Sequence, residues 1–322
     1  MAVSQKQIAE KLGVSIALVS RVLSGKAAEI GITQAKIEQV LKTADEMGYV
    51  PSAAALSLIG KSTRTIGIAV YDFNDPFFGS LIREIQTQAH ANNYSLVLTG
   101  FLNRNPDRQD IQAFHKHTLD GLIVIGTDLE ATWLDDFKNL PIARIGHGSE
   151  SEQSTRISVD EEQAATSLIR HLQECGRKNL AFIAADLPAH EIRRKAIVAA
   201  ATALSIDVQE IPTAERTAFA AGVEGTKTVM ERHPNTDGLI CATDRVAMGA
   251  LHALYASKVT VPERIAITGF DDIPAASEFI PPITTIQQDV KRMVKQAFDT
   301  LLKDERPGPV SFPGRLIVRE TT

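Results

Sequence analysis

Residues 4–23, SQKQIAEKLGVSIALVSRVL, have the spacing of two short helices joined by a tight turn. Gly13 suits a turn that needs a positive φ, and Ser15 is a good N-cap for the second helix. The apolar positions recur at helical spacing in both helices: Ile8, Ala9, Leu12, Val19, Val22 and Leu23. This helix-turn-helix pattern is typical of proteins that place the second helix in the major groove of DNA, although an ordinary helical hairpin has the same pattern.

A third helix is predicted over 34–47. Thr33 is its expected N-cap, Ile32 and Ile37 are placed for a hydrophobic staple around that cap, and Gly48 ends the helix. Its apolar stripe comprises Ile37, Val40, Leu41, Ala44 and Met47. Three short helices predict a small DNA-binding headpiece over 1–50.

Residues 51–63 are predicted to be a hinge and linker. Pro51 begins a new element, and 52–58 can form an Ala-rich helix. A helix of this length is unstable alone in water, so it should order only against a partner surface.

The sequence resembles the LacI/GalR family of bacterial transcription regulators over its whole length. The motifs are VSRVLSGK (19–26), GYVPSAAALSL (48–58), TIGIAV (65–70), NDPFF (74–78), DGLIV (120–124), TDRVAMGAL (243–251), VPERIAITGFDD (261–272), PPITTIQQD (281–289) and LIVRET (316–321). The resemblance implies an all-α headpiece with a hinge helix, followed by an α/β two-lobed core of the periplasmic-binding-protein type I fold. It also implies a regulator that is not an enzyme.

The resemblance implies that a homodimer binds a palindromic operator in double-stranded DNA. Two hinge helices would pair in the minor groove, where Leu58 would wedge into the central base step; a plain linker leucine is the alternative. The expected DNA-binding residues are Ser4, Gln5, Ser15, Ile16, Ala17, Ser20, Arg21, Ser24, Lys26, Tyr49, Ser52, Ala55 and Leu58. Leu18 and Leu56 stand where many relatives carry Thr and Arg, so the operator sequence does not carry over.

Charge divides unevenly along the chain. Residues 1–63 contain seven Lys/Arg and five Asp/Glu, a net charge of +2, whereas the whole chain carries −5, so residues 64–322 carry −7. We expect salt-sensitive DNA binding by the headpiece and none by the acidic core.

Composition indicates a cytoplasmic protein. No apolar run is long enough to span a membrane, the N-terminus has no secretory leader, and two cysteines are too few for a disulfide framework. The eight histidines show no metal-ligand spacing, and no phosphate-binding glycine loop or GxSxG motif suggests an enzyme or a cofactor.

Residues 64–322 alternate apolar strands with helices, which predicts parallel sheets, and about ten strands suggest two similar lobes. A first series of strands is expected at 66–71, 94–99, 122–125 and 142–145, and a second at 157–159, 180–184, 208–211, 238–241 and 265–269. By the resemblance, the N-lobe comprises 64–158 plus 287–317 and the C-lobe 159–286 plus 318–322, with crossings near 158–161, 286–289 and 316–318. No heptad tail follows the last strand, so no coiled-coil tetramerisation module is expected.

Ligands of such folds lie beyond the carboxyl ends of the strands, which predicts an effector cavity between the lobes. The candidates at strand ends are Asp72, Asn74, Asp75, Phe77, Phe101, Thr127, His147, Arg193, Asp244 and Asp271. By the resemblance, Phe77 would form an apolar wall, Arg193 would donate a bidentate fork to the ligand, and Asp244 and Asp271 would accept from it.

Several of these residues have structural alternatives. Asp244 could cap the helix starting at Arg245, Asp271 could brace a turn, and Asp75 fits a helix cap better than a ligand contact. His147 is either a polar ligand contact or a hydrogen-bonded loop residue, and Arg194 could replace its neighbour as the inward arginine. Phe219 is the aromatic nearest to position 217, where relatives carry one that stacks on the ligand.

The expected effector is a sugar or sugar derivative that shifts the lobes and changes hinge order and DNA affinity. The alternative is a co-repressed regulator that responds to a purine or a sugar phosphate. Phosphates are disfavoured because no dense Arg/Lys cluster is evident among the cleft candidates.

Overall fold

The computed structural model describes residues 3–27, 31–49, 62–102, 104–127, 132–137, 139–148, 154–303 and 308–322. The contacts divide the chain into two compact units, Met1–Thr63 and Arg64–Thr322. The first unit contains α1 (Gln5–Leu12), α2 (Ile16–Leu23) and α3 (Gln34–Glu46).

The expected turn and caps of the first two helices are present. Ser4 and Gln7 form a reciprocal capping box at α1, and Gly13 ends this helix with φ at 63°. At α2, the Ser15 hydroxyl accepts a hydrogen bond from the Leu18 N–H at 3.2 Å. The prediction for Thr33 is corrected, because it occupies the N-cap position of α3 but its side chain makes no capping bond.

The headpiece has its own small core. Its buried apolar residues are Ile8, Ala9, Val19, Val22, Ala27, Val40 and Ala44. Leu18 packs partly buried against them, as do Ile32 and Ile37. The apolar faces therefore meet as the helical spacing predicts, with Leu18 committed in part to this core. The hinge segment 52–58 lies outside the described residues.

The second unit contains twelve strands and eight α-helices within its described residues. In chain order they are β1 (Thr65–Val70), α4 (Pro76–Ala91), β2 (Ser95–Gly100), α5 (Arg108–Lys116), β3 (Gly121–Ile125), a 3-10 helix (Thr132–Phe137), β4 (Ile142–Ile145), β5 (Ser154–Asp160), α6 (Glu161–Glu174), β6 (Leu180–Ile183), α7 (Pro188–Ala203), β7 (Val208–Ile211), α8 (Ala218–Arg232), β8 (Gly238–Cys241), α9 (Asp244–Ala256), β9 (Ala266–Thr268), α10 (Pro274–Glu278), β10 (Thr285–Gln287), α11 (Val290–Lys303), β11 (Val310–Pro313) and β12 (Arg315–Ile317). None of the described helices is long and apolar enough to cross a membrane.

Two parallel sheets define two lobes. The N-lobe sheet has six strands in the order β11-β5-β4-β3-β1-β2, and the C-lobe sheet has four in the order β7-β6-β8-β9. Every strand pair in both sheets is parallel. A short antiparallel pair, β10 with β12, completes the strand pairing.

The structure corrects the place of β5. We expected the strand at 157–159 to open the second series, but β5 pairs with β4 in the N-lobe sheet. Like the neighbouring N-lobe strands, β5 is mostly buried. The crossing to the C-lobe comes directly after β5, at the start of α6. The predicted crossings at 286–289 and 316–318 overlap β10 and β12, the antiparallel pair.

Helices α8 and α9 approach each other through two glycines. A Cβ on Gly222 would lie 2.1 Å from the Val246 carbonyl oxygen, and one on Gly249 would lie 2.1 Å from the Phe219 carbonyl oxygen. No real Cβ can approach backbone atoms so closely, and glycine therefore permits this helix contact.

Candidate functional site

The second headpiece helix presents a mainly polar, exposed surface. Ser15, Ile16, Ala17 and Arg21 are exposed, and Ser20 is half-buried. Ile16 leaves 48 % of its surface exposed although it is a large apolar residue. An exposed face at the N-terminal end of the second helix is the part of this motif that reads the major groove.

The other expected DNA-binding residues surround this helix or fall outside the described chain. Ser4 is exposed at the start of α1, and Gln5 donates a 3.0 Å hydrogen bond to the Tyr49 hydroxyl. The Ser24 hydroxyl donates to a backbone carbonyl, and Lys26 is exposed. Ser52, Ala55 and Leu58 lie outside the described residues.

A cavity of about 400 Å³ lies between the two lobes of the second unit. Its walls come from the loops that follow β1, β3, β4, β6, β8 and β9, which is the edge where parallel sheets bind ligands. Five expected effector residues line it: Asp72, Phe77, His147, Arg193 and Asp271. Asp75 and Thr127 also line it, whereas Asn74 does not and Phe101 is fully buried in the N-lobe core.

Arg193 is held by protein groups on every side. Its Nε and Nη2 donate to Glu161 at 2.9 and 2.8 Å, and its Nη1 donates to the Ala242 carbonyl at 2.5 Å. The guanidinium carbon lies 3.3 Å from the centroid of the Phe270 ring. The expected bidentate fork therefore exists, but it binds Glu161 instead of a ligand. The neighbouring Arg194 bonds Glu191 and Glu210 and does not line the cavity.

Glu161 was missed by the sequence reasoning and is central to the site. It is 6 % exposed, and besides Arg193 it contacts His147 Nε2 at 3.1 Å. Burial alone would raise the pKa of Glu161, but the charge and hydrogen bonds of Arg193 and His147 outweigh it and lower the pKa to about 2. An adjacent acidic trio at the β5–α6 junction, Asp160 to Glu162, was the available signal. His147 lines the cavity and is hydrogen-bonded to Glu161, and its contact with a ligand stays a prediction.

Asp271 lies at the C-lobe side of the cavity. It is 8 % exposed with φ at 105°, and its Oδ1 accepts from Gln288 Nε2 at 2.7 Å. The nearest Arg193 nitrogen is 3.8 Å away. Burial raises the pKa of Asp271 well above its ordinary value, against the lowering effect of Arg193, and the negative charges of Asp75 and Asp244 raise it further.

Two expected residues do not line the cavity. Asp244 is fully buried, where it accepts from the Thr285 hydroxyl at 2.5 Å and from the Ile273 N–H at 2.8 Å. Burial, as the main cause, raises its pKa to about 7. Its alternative role as a helix cap is also corrected, because Thr243 caps α9. Phe219 tilts against His252 on the surface of the C-lobe, with ring centroids 5.8 Å apart.

His190 is a second residue that the sequence reasoning missed. It lines the cavity at 4 % exposure, and its Nδ1 accepts from the Ala185 N–H at 2.9 Å. Burial and then the charge of Arg193 lower the pKa of His190 to about 3, so the ring is neutral and Nε2 carries its proton. A single histidine on an apolar helix face gives no sequence signal that it lines a cavity.

The remaining charges at the cavity are mixed. Asp75 caps α4 by accepting from the Phe77 N–H at 2.9 Å, and burial raises its pKa. Arg104 is bound at both Nη atoms by Asp110, and Arg216 is exposed at the wall. No group of three or more potential metal ligands comes together within the described ranges.

Comparison with known proteins identifies the family. The chain is 31 % identical to the HTH-type transcriptional repressor PurR of Vibrio campbellii over 98 % of its own length and 97 % of the relative's. The chain belongs to the LacI/GalR family of DNA-binding transcriptional regulators. A family profile described as a periplasmic binding protein-like domain matches residues 169–322.

Solved structures of LacI/GalR regulators share the fold. The Lac repressor dimer bound to operator and the anti-inducer ONPF matches with a TM-score of 0.82 at 22 % identity, covering 100 % of this chain and 99 % of that one. The complex of the regulator CelR with cellobiose matches with a TM-score of 0.69 at 23 % identity, covering 99 % and 100 %. As a LacI/GalR member, the chain combines a DNA-binding headpiece with an effector-binding core and is not an enzyme.

Proposed function

We propose that this protein is a repressor that binds a palindromic operator as a homodimer and changes its DNA affinity when a sugar-type effector fills the cavity between its lobes. The observation that carries the proposal is the wall of that cavity, where the aromatic face of Phe77 lies with the carboxylates of Asp72 and Asp271. Sugars bind to such sites through an apolar ring face and hydroxyl groups that donate to carboxylates.

The charges of the cavity argue against an anionic effector. Arg193, the buried cation on the wall, already has three of its five N–H donors bound by Glu161 and a backbone carbonyl. Asp72, Asp75 and Asp271 line the same wall, and each of them that is ionised would repel a phosphate or carboxylate brought near it. A neutral or donor-rich ligand therefore fits better than a sugar phosphate.

The position of the cavity explains how effector binding would change DNA affinity. Its wall includes residues of both lobes, so a ligand that binds one arrangement of the lobes more tightly shifts the population toward it. Through the linker at 51–63, this shift would change hinge-helix order and DNA affinity, by typically about 1–3 kcal/mol of coupling free energy. The relatives support this scheme, since one is a repressor dimer on its operator and another holds a disaccharide.

The test of DNA recognition is selection of random double-stranded DNA on the full-length protein. We expect enrichment of a palindrome, bound with two chains per site and weakened by salt. Enrichment of a non-palindromic sequence, or of none, would contradict the proposal.

The test of effector binding is thermal unfolding against a panel of sugars, sugar phosphates and purines. A ligand that binds the folded protein raises the melting temperature by mass action. The active compound is then added to the protein on its selected operator, and a change in DNA affinity is expected. A phosphate-bearing compound as the strongest ligand would contradict the charge argument.

A further inference from the structure

The interior of the effector site holds more carboxyl groups than cations. Four carboxylates, those of Glu161, Asp75, Asp244 and Asp271, lie within electrostatic range of Arg193. Glu161 accepts hydrogen bonds from two of the arginine's donors, whereas Asp271 Oδ1 lies 3.8 Å from Arg193 Nη1. The arginine therefore hydrogen-bonds to Glu161, and among the described residues Asp75 and Asp271 have no directly hydrogen-bonded cation.

The neighbouring cations are committed elsewhere or exposed. Arg104 is bound by Asp110, and Arg319 pairs with Asp272 at 2.6 Å. Arg216 and Arg245 are exposed to solvent, where their charges are screened. His147 contacts Glu161. These contacts add no buried positive charge facing Asp75 or Asp271.

An independent feature of the same cavity points to a ligand. His190 is 96 % buried, and the Ala185 N–H occupies its Nδ1. Its Nε2–H is on the other side of a ring that lines the cavity, and no hydrogen bond to it occurs among the residues that the structure describes. A ring donor beside the cavity without a protein partner can donate to a ligand oxygen.

We infer that the cavity takes a sugar that bears a protonated amine, with the ammonium group beside Asp75 and Asp271 and a ring or hydroxyl oxygen accepting from His190 Nε2. This inference rests on the proposed effector-sensing function and names the chemical class of its ligand. The ammonium group supplies the missing positive charge, and Phe77 packs against the apolar face of the sugar.

Binding of the amine is expected to release a proton. Without ligand, burial keeps the pKa of Asp271 raised, and the groups that face it are Asp75, Asp244, Arg193 and Gln288. An ammonium group stabilises the ionised carboxylate, so Asp271 loses its proton when the ligand binds. Affinity for the amine should therefore rise with pH up to the raised pKa of Asp271, whereas affinity for a neutral sugar should not.

The test measures binding of three matched sets of sugars to the full-length protein by titration calorimetry. Each set contains a neutral hexose, its 2-amino-2-deoxy counterpart and the N-acetylated amine: the glucose, galactose and mannose series. In at least one set, we expect the amine to bind ten-fold or more tightly than both neutral members. The heat of binding should depend on the ionisation enthalpy of the buffer, as proton release requires.

Two variants separate the charge from the fold. Asp271→Asn and Asp75→Asn remove one negative charge each without changing side-chain volume, and Asn can still cap α4 at position 75. Each should weaken binding of the amine ten-fold or more. Asp207→Asn, an exposed carboxylate away from the cavity, is the matched control and should leave it unchanged.

The contrary outcomes are distinct. Equal or tighter binding of the neutral or N-acetylated sugars overturns the inference but leaves the proposed effector-sensing function intact. Amine binding that survives both variants also overturns it, as does the absence of binding in all three series. Failure of the DNA selection would instead overturn the proposed regulation and leave the measurement of amine binding in place.

Discussion

Glu161, the first residue of α6, holds the guanidinium of Arg193 on α7 through two hydrogen bonds of 2.9 and 2.8 Å. Both side chains are about 6 % exposed. Breaking a buried pair by removing one charge leaves the other uncompensated. The arginine that family resemblance assigns to the ligand is thereby fixed by the protein itself.

Replacing Glu161 should destabilise the protein. Glu161→Gln removes the charge and turns an amide donor toward Arg193, so we expect the free energy of unfolding to fall by about 3–5 kcal/mol at pH 7. Urea unfolding measures it. Glu191→Gln removes the partner of Arg194 in an exposed pair and should change stability by less than about 1 kcal/mol. Equal losses in both variants would refute the distinction.

The same pair predicts a loss of stability in acid. The pKa of Glu161 is lowered from 4.5 to about 2, so its contribution is present above about pH 4.5 and is lost as pH falls toward 2. The shift corresponds to about 3 kcal/mol. Unfolding of the native protein and Glu161→Gln at pH 5, 4 and 3 should therefore show a shrinking difference. A constant difference would show that Glu161 does not titrate in this window.

Asp244 predicts the opposite slope at higher pH. Burial raises its pKa from 3.8 to about 7, so its contribution is fully present below about pH 3.8 and is lost as pH rises through 7. Asp244→Asn cannot titrate and should gain stability relative to the native protein between pH 4 and 8, by about 4 kcal/mol at most. Asp244 also raises the pKa of Asp271, so part of the difference between the two proteins comes from Asp271. Parallel profiles would contradict the assignment.

The glycine contact between α8 and α9 predicts a steric effect. In Gly222→Ala, the added Cβ meets the Val246 carbonyl at 2.1 Å, and backbone cannot move aside cheaply, so we expect a loss of about 1–3 kcal/mol. Gly79→Ala is the control, because a Cβ on this exposed residue of α4 meets nothing within 4 Å. It should gain about 0.5–1 kcal/mol from helix propensity. Thermal unfolding of both variants checks the contrast.

The exposed face of α2 predicts which headpiece charge matters for DNA. Arg21→Ala should weaken binding to the selected operator by about 1–3 kcal/mol, as expected for loss of a base or phosphate contact. Lys42→Ala removes an equally exposed charge from α3, where it pairs with Glu46, and should change affinity less than two-fold. Fluorescence anisotropy at one fixed salt concentration compares them. A larger effect of Lys42→Ala would place the DNA on another face.

The headpiece and most strands could be predicted from sequence because their signals are local. Helical spacing located α1, α2 and α3, and apolar runs located β4, β7 and β8 at their observed bounds. Assignment of β5 to a sheet failed because an isolated apolar strand does not specify its neighbours. The predicted N-cap of α9, Asp244, is one residue later than the observed cap, Thr243, because both residue types are good caps.

The cavity was predicted in outline but its charge pairing was not. The strand-end rule placed Asp72, His147 and Asp271 on its wall. The hydrogen bonds between Arg193 and Glu161 join two residues that are 32 positions apart in sequence and lie on different helices. Tertiary packing decides which of several carboxylates reaches an arginine. The local sequence around either residue does not reveal that packing.

The start of α6 at Glu161, directly after β5 ends at Asp160, has a mechanical consequence. The covalent joint between the lobes and the ionic clamp on Arg193 share one residue. A rotation of the C-lobe about this joint carries the clamp along at its pivot, where displacements are smallest, while the far rim of the cleft sweeps the largest arc. Because α6 and α7 pack against each other, the clamp moves with the C-lobe as one body and fixes Arg193 to the segment where that lobe joins the N-lobe.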